Sequence, residues 1–360
     1  MNTPFSQMRF CPIRTVCLLM LLMLQSSQIP VQAENPKVIC SGEAAGGYAA
    51  FPDVCRLKDG SLLCVFYAGY SHVSLPAPQC PLGGRITAIR STDEGKTWSD
   101  PVVMIDTAED DRDPSIVQLN NGDLLCNWFT YRPSEQGQQI KTYLSRSKDL
   151  GKTWSEPREL ALPVDFWLAT SSPVRQLPDG SLILGLYHET DKGDRVFGAT
   201  AKSRDDGLTW GDYAPIGDGA GVHLDAETDV IPLKNGNLFA ALRSSRVNMH
   251  CAQSSDMGKT WGPVKDIGFK GHCPYLYRHS SGLILLGVRI PATSIYWSTD
   301  ETATWKGPLQ VDAHTGAYPS MTELPDRRVL FIYYEEGEGS GIRAAFLKVQ
   351  GDQVEMIPSE

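Results

Sequence analysis

The sequence predicts an all-β chain folded as a six-bladed β-propeller, and three observations carry that prediction. An eight-residue turn recurs along the chain, a strand–turn–strand hairpin recurs between its copies, and no stretch has the apolar period of an amphipathic helix. Self-similarity at a period of about 40–55 residues marks solenoids and propellers. The turn first reads Ser91-Thr92-Asp93-Glu94-Gly95-Lys96-Thr97-Trp98. It returns at Ser147–Trp154, Ser203–Trp210 and Ser254–Trp261, and a fifth copy, Ser298–Trp305, has Thr302 where the others have glycine. In each copy Asp can accept backbone N–H groups across the bend, Gly permits positive φ, and Trp can pack into the adjoining core. The copies are expected to stabilise the fold and to take no part in chemistry.

The hairpins are equally regular. Phe51-Pro52-Asp53-Val54-Cys55-Arg56-Leu57 leads through Asp59-Gly60 to Ser61-Leu62-Leu63-Cys64-Val65-Phe66-Tyr67. An Asp-Gly turn between apolar runs is a strong short-range hairpin signal. The layout recurs around Asn121-Gly122, Asp179-Gly180, Asn235-Gly236, Ser281-Gly282 and Asp326-Arg327. Six hairpins, five of them followed by a strand that runs into a turn copy, make six units of about four short strands, the make-up of propeller blades. The last unit ends in Arg343–Val349 without a turn copy, and the segment around Val38-Ile39-Cys40 is expected to complete its sheet and close the ring.

Outside this array lies the N-terminus. Arg9 and Arg14 precede the apolar run Val16–Leu24, and Val31-Gln32-Ala33 offers small or apolar residues for cleavage. This reads as an export signal over residues 1–33, too short for a membrane span, with the propeller filling 34–360. The expected location is therefore secreted or periplasmic. Seven cysteines remain, an odd number without a CxxC pair, which fits neither a disulfide scaffold nor a zinc site. One or two bridges are compatible with that count, and Cys40 and Cys80 are the most loop-like. Net charge is −9 with both signs interspersed, so no phosphate-binding stripe points to nucleic acid. No His, Asp and Glu cluster has metal-ligand spacing, and no cofactor is expected.

Propellers gather ligands where the inner strands begin, so aligning the hairpins identifies the candidate mouth. Phe51, Asp113, Ser172, Glu227, Cys273 and Tyr318 fall at one position, with proline next in five of the six. Ala50, Arg112, Ser171, Ala226, His272 and Ala317 precede them, and Tyr67, Phe129, Tyr187, Arg243, Arg289 and Tyr334 end the second strands. A purely structural ring would repeat its residues. This one mixes charged, polar and aromatic groups.

The turn copies and this constellation resemble the sialidase (neuraminidase) superfamily, whose Asp-boxes and six blades match essentially the whole chain after the signal. Glu227 with Arg243, then Arg289, then Tyr318 with Glu335 or Glu336, are similar to that family's core. The resemblance implies that Tyr318 is the nucleophile with Glu227 as its base, and that Arg243 and Arg289 grip a substrate carboxylate. Asp113-Pro114-Ser115 resembles a segment that borders the N-acyl pocket. Arg112, Asp113, Glu335, Tyr187 and His272 complete the expected substrate-binding set. The chemistry is coherent, because a carboxylate on the anomeric carbon repels an anionic nucleophile but not a tyrosine hydroxyl. Arginine's planar fork in turn suits a carboxylate.

The pattern also departs from the family. Ala50 stands where sialidases have their first arginine, and Arg112 is the candidate replacement. The loop Gly69–Pro76 carries no carboxylate where the acid is expected, which leaves Asp53, Asp111, Glu189 and His72 as candidates. The implied function is retaining hydrolysis of a terminal acidic sugar on a glycan. A propeller acting on another uronic-type glycan, as hydrolase or lyase, and a non-catalytic glycan-binding propeller are the alternatives.

Overall fold

The computed structural model describes residues 36–135, 137–190, 195–225, 227–313, 316–337 and 340–358. The segment 1–33, read from the sequence as an export signal, and Ala226 lie outside these. Among the described residues there is no helix long and apolar enough to cross a membrane.

The strands form six antiparallel sheets taken in chain order. Blade one consists of Tyr48–Arg56, Leu62–Gly69, Arg85–Ser91 and Val102–Ile105, and blade two of Asp110–Gln118, Leu124–Ser134, Gly137–Ser147 and Arg158–Glu159. Blade three follows with Arg175–Gln176, Leu182–Glu189, Val196–Ser203 and Gly211–Ile216. Blade four is built from Thr228–Pro232, Leu238–Leu242, His250–Ser254 and Lys265–Asp266, and blade five from Tyr275–Arg278, Ile284–Val288, Thr293–Ser298 and Lys306–Asp312. Blade six takes Gly316–Glu323, Val329–Glu335 and Gly341–Gln350 from the end of the chain. Its outer edge is shared by Lys37–Ser41 from the start and Gln353–Ile357 from the end, both paired with Gly341–Gln350. The ring thus closes through the N-terminal strand, as the sequence leads one to expect.

The apolar side chains do not meet in one centre. They form six clusters among the described residues, each between two neighbouring blades. Leu63, Val65 and Ile86 of blade one pack on Leu124, Cys126 and Trp128 of blade two, for example. The second strands therefore bury both faces, and Leu62–Gly69 is buried at every position, which is why its sequence is a continuous apolar run without alternation. All seven described cysteines are free thiols, correcting the allowance for disulfides: Cys40 is buried in the closing cluster and the Cys80 thiol donates to Gly83 O at 2.5 Å.

The recurring turns are built alike. In the first, Asp93 Oδ1 accepts Thr97 N at 2.9 Å and Ser91 Oγ at 2.8 Å, while Gly95 N donates to Ser91 Oγ at 2.9 Å. These bonds, led by the Thr97 hydroxyl, hold the Asp93 carboxyl down at about 2. Two successive left-handed residues are needed, Glu94 at φ 62° and Gly95 at φ 87°. In the fifth copy the second is Thr302, at φ 74°, with its hydroxyl buried and unpartnered among the described residues. A left-handed conformation costs a residue with a Cβ about 1–2 kcal/mol. Thr302→Gly is expected to stabilise the fold by about 1 kcal/mol once the entropy of glycine is set against that strain. A urea unfolding midpoint that stays put or falls would contradict this.

Polar groups tie the inner strands together near the axis. Asp229 accepts its neighbour Val230 N at 2.8 Å, Leu276 N of the next blade at 2.7 Å, and Arg175 Nη2 of the previous blade at 2.6 Å. Asp53, two residues after Phe51 as Asp229 is two after Glu227, does the same. It accepts Val54 N at 2.9 Å, Ile116 N of blade two at 2.7 Å and Ser320 Oγ of blade six at 2.5 Å. Burial lifts its carboxyl to about 6 against those bonds. Asp53 is a blade-to-blade tie, which removes it from the candidate acids.

Candidate active site

The start of each inner strand is bent toward the axis. Phe51, Asp113, Cys273 and Tyr318 all adopt left-handed backbone, at φ 52°, 50°, 53° and 52°. Bulges interrupt the pairing between Ala50 and Asp53, Arg112 and Ser115, and Ala317 and Ser320. Such bulges re-aim a side chain, and the strain they hold is characteristic of functional sites. Here they turn the aligned residues inward, where Phe51, Asp113, Ser171, Cys273 and Tyr318 line a narrow axial space with the following prolines. In blade three Ser171 takes the place the alignment gives to Ser172. The Ser172 hydroxyl instead donates to Thr228 O of blade four at 2.8 Å.

Tyr318, Glu227 and Arg243 form the centre. Tyr318 Oη donates to Glu227 Oε1 at 2.6 Å, and Arg243 Nη1 donates to the same oxygen at 2.6 Å. Cys273 N donates to Glu227 Oε2 at 2.9 Å, so both carboxylate oxygens are held. Burial pushes the Glu227 carboxyl up, but Arg243, Arg289 and the Tyr318 hydroxyl outweigh it and keep it below its ordinary range. Tyr318 moves the other way: burial, then Asp113 and Glu227, raise its hydroxyl well above the phenol range. The resting pair is therefore a neutral tyrosine hydroxyl bonded to a carboxylate.

Arg289 stands one blade on. Its Nη2 lies 3.4 Å from His272 Nδ1, a long contact, and burial together with Arg243 lowers His272 to about 4, so the imidazole is neutral beside the guanidinium. Asp113 sits on the other side of the axis, 3 % exposed. Ser171 Oγ donates to its Oδ2 at 2.7 Å, while Oδ1 is buried without a hydrogen bond among the described residues. Burial raises this carboxyl against Arg112 and Ser171. Tyr187 belongs to the same wall, its hydroxyl raised well above the ordinary range by burial, then by Asp113 and Glu227.

Two expected members are placed differently. Glu335 is not in the site: alternation along Val329–Glu335 sends Tyr334 and Glu335 to opposite faces, and Arg343 Nε binds Glu335 Oε2 at 2.8 Å. Glu336, just past the strand end, faces inward instead, accepting Tyr334 Oη at 2.6 Å and Tyr48 Oη at 2.9 Å. Arg112 reaches the site but is engaged there. Its guanidinium lies over the Phe51, Tyr67 and Phe129 rings and Nη1 donates to His72 O at 2.7 Å, with Asp110 at 3.6 Å.

Among the other candidate acids, Asp111 is bonded by Thr107 N at 2.7 Å and Trp128 Nε1 at 2.8 Å, away from the axis. Glu189 ends the second strand of blade three, two residues past Tyr187. His72 stands at the rim against Phe51, whose ring centroid is 5.2 Å from the imidazole and 4.8 Å from Tyr318. Tyr48, missed in the sequence, belongs to this corner. Its one usable signal is its place two residues before Ala50, on the same face of the strand. Among the described residues no group of three or more His, Cys, Asp or Glu is placed to hold a metal.

Comparison with known proteins agrees with this architecture. The family described as BNR repeat-like domain matches residues 86–331. No curated protein matches the chain in sequence. Among solved structures, a protein of unknown function from Dyadobacter fermentans is 23% identical, with a TM-score of 0.76 over 89% of this chain and 99% of that one. The NanB sialidase of Streptococcus pneumoniae is 14% identical, with a TM-score of 0.67 over 86% of this chain and 69% of that one. The intramolecular trans-sialidase of Ruminococcus gnavus is 15% identical, again with a TM-score of 0.67, over 88% of this chain and 98% of that one. At these identities the likeness is one of fold.

Proposed function

The chain belongs to the BNR repeat-like domain family, and from that premise we propose that it is a retaining exo-glycosidase that removes a terminal acidic sugar, sialic acid or a close relative, from a glycan. The observation that carries this is the 2.6 Å bond from Tyr318 Oη to a Glu227 carboxylate flanked by Arg243 and Arg289. Tyr318 attacks the anomeric carbon as Glu227 takes its proton, giving a glycosyl-tyrosine that water then hydrolyses. A neutral hydroxyl can approach a carbon bearing a carboxylate where an anionic nucleophile would be repelled. Arg289, less committed to the protein than Arg243, is the main ligand of that carboxylate, and the free Asp113 Oδ1 is positioned to accept from a ring hydroxyl. Residues 1–33 are read as the export signal that delivers the enzyme to glycans outside the cytoplasm.

The test is a panel of aryl glycosides, sialosides and uronides beside neutral sugars. Turnover confined to acidic sugars is the expected result. Arg289→Met is expected to lower kcat/KM on the acidic substrate about 100-fold, the scale of two charge-assisted hydrogen bonds. An unchanged kcat/KM would remove Arg289 from substrate binding, and turnover of neutral glycosides alone would overturn the reading. One feature favours a second acidic substrate class. Where the family resemblance leads one to expect a further guanidinium, this chain has Ala50 and an aromatic wall of Phe51, Tyr67 and Tyr334, with ring centroids 5.3–5.5 Å from Phe51. That wall suits a uronic acid, whose carboxylate is not on the anomeric carbon.

A further inference from the structure

The geometry points to His72 as the proton donor to the leaving group and, in the second half of the reaction, the base that activates water, with Glu336 and Tyr48 as its positioning residues. This rests on the glycosidase reading above. In an in-line displacement the leaving oxygen departs on the side away from the nucleophile. Tyr318 attacks from the floor of the funnel, so the remainder of the glycan leaves toward solvent and its proton must come from the rim. Buried Asp113, 3 % exposed and bonded to Ser171, sits on the floor. Asp53 and Asp111 are committed to the fold, and Glu336 is occupied by tyrosine hydroxyls. His72 lies at the rim, its side chain 54% exposed, one aromatic ring away from Tyr318.

The imidazole is held as a working acid–base group requires. Tyr48 gives its proton to Glu336 at 2.9 Å, so the 3.1 Å contact from His72 Nδ1 to Tyr48 Oη is one in which Nδ1–H donates. The Glu336 carboxylate stands 3.7 Å from the same nitrogen. A partner on one ring nitrogen fixes the tautomer and leaves the other for chemistry. Here Nε2 is the free one, with no hydrogen bond among the described residues. The loop is fixed as well: Arg112 Nη1 clamps His72 O at 2.7 Å, and Ser74 Oγ accepts Tyr70 N at 2.9 Å. The charged groups facing His72 are Glu336, Arg112 and Asp113.

The steps balance. In the first, the bond from anomeric carbon to leaving oxygen breaks, the bond to Tyr318 Oη forms, Glu227 takes the tyrosine proton and imidazolium Nε2–H protonates the leaving oxygen. In the second, the water oxygen bonds to the anomeric carbon as the glycosyl–tyrosine bond breaks, neutral Nε2 takes the water's proton and Glu227 returns its proton to Tyr318.

Leaving-group dependence tests this. With His72→Ala, kcat/KM for sialyllactose, whose leaving group is an alcohol, is expected to fall at least about 100-fold, the usual scale of general acid catalysis. For 4-methylumbelliferyl sialoside, whose leaving group needs little protonation, the loss should stay within about tenfold. Glu336→Gln and Tyr48→Phe, which remove the partners that position the imidazole, should show a smaller loss of the same kind, greater for sialyllactose than for the 4-methylumbelliferyl sialoside. Equal losses on both substrates in His72→Ala would overturn the assignment of His72 while leaving the glycosidase reading intact. No turnover of either substrate by the wild type would overturn the sialoside form of that reading itself.

Discussion

Tyr318→Phe is expected to lower kcat by on the order of 10³-fold or more while leaving affinity for the acidic substrate within about threefold, the pattern of a lost reacting group. The fold should tolerate the change. The Phe ring keeps the edge contact with Phe51 at 4.8 Å, and Glu227 keeps Arg243 and Cys273 N as partners. Only the hydroxyl at 2.6 Å from Glu227 is removed. Steady-state kinetics beside isothermal titration with the released sugar separates the two quantities. Weaker binding with unchanged turnover would make Tyr318 a wall of the pocket and not its nucleophile.

Arg175→Met is expected to cost about 3–5 kcal/mol of stability, because it leaves Asp229 buried without its counter-ion. Asp229 is 0% exposed and receives Arg175 through Nε at 3.0 Å and Nη2 at 2.6 Å, and the same guanidinium donates to Leu276 O at 2.8 Å. One side chain thus joins the inner strands of blades three, four and five. Arg175→Lys should recover part of the loss but not all, since an ammonium cannot reproduce the fork. Urea denaturation measures both variants. A loss below about 1 kcal/mol for the methionine variant would place this pair with weak surface ion pairs instead.

These two residues also illustrate what the sequence could and could not reveal. Tyr318 was legible because the hairpin repeat fixes its register and a proline follows it, as in four other blades. The recurring turns were legible because their bonds are local, Asp to Thr four residues on. The tie at Asp229 was not, because its partners come from separate blades, 54 and 47 positions away in sequence. Asp53 looked like a spare acid for the same reason, its fate being decided by Ile116 N and by Ser320, 267 positions distant. Glu335 and Glu336 were a choice between adjacent residues that turns on where the strand ends, and sequence patterns place strand ends poorly. Tyr48 and His72 come together with Glu336 only once blade six closes on blade one.

The most direct test of the central claim is to trap the covalent intermediate. A sialosyl fluoride carrying a second fluorine beside the anomeric carbon reacts through its good leaving group, while the added fluorine slows hydrolysis of the glycosyl-enzyme. Intact-mass and peptide mass spectrometry of the treated protein should show one sugar per chain, attached to the peptide containing Tyr318 and absent from Tyr318→Phe. An unlabelled chain, or a label on a carboxylate, would contradict the account.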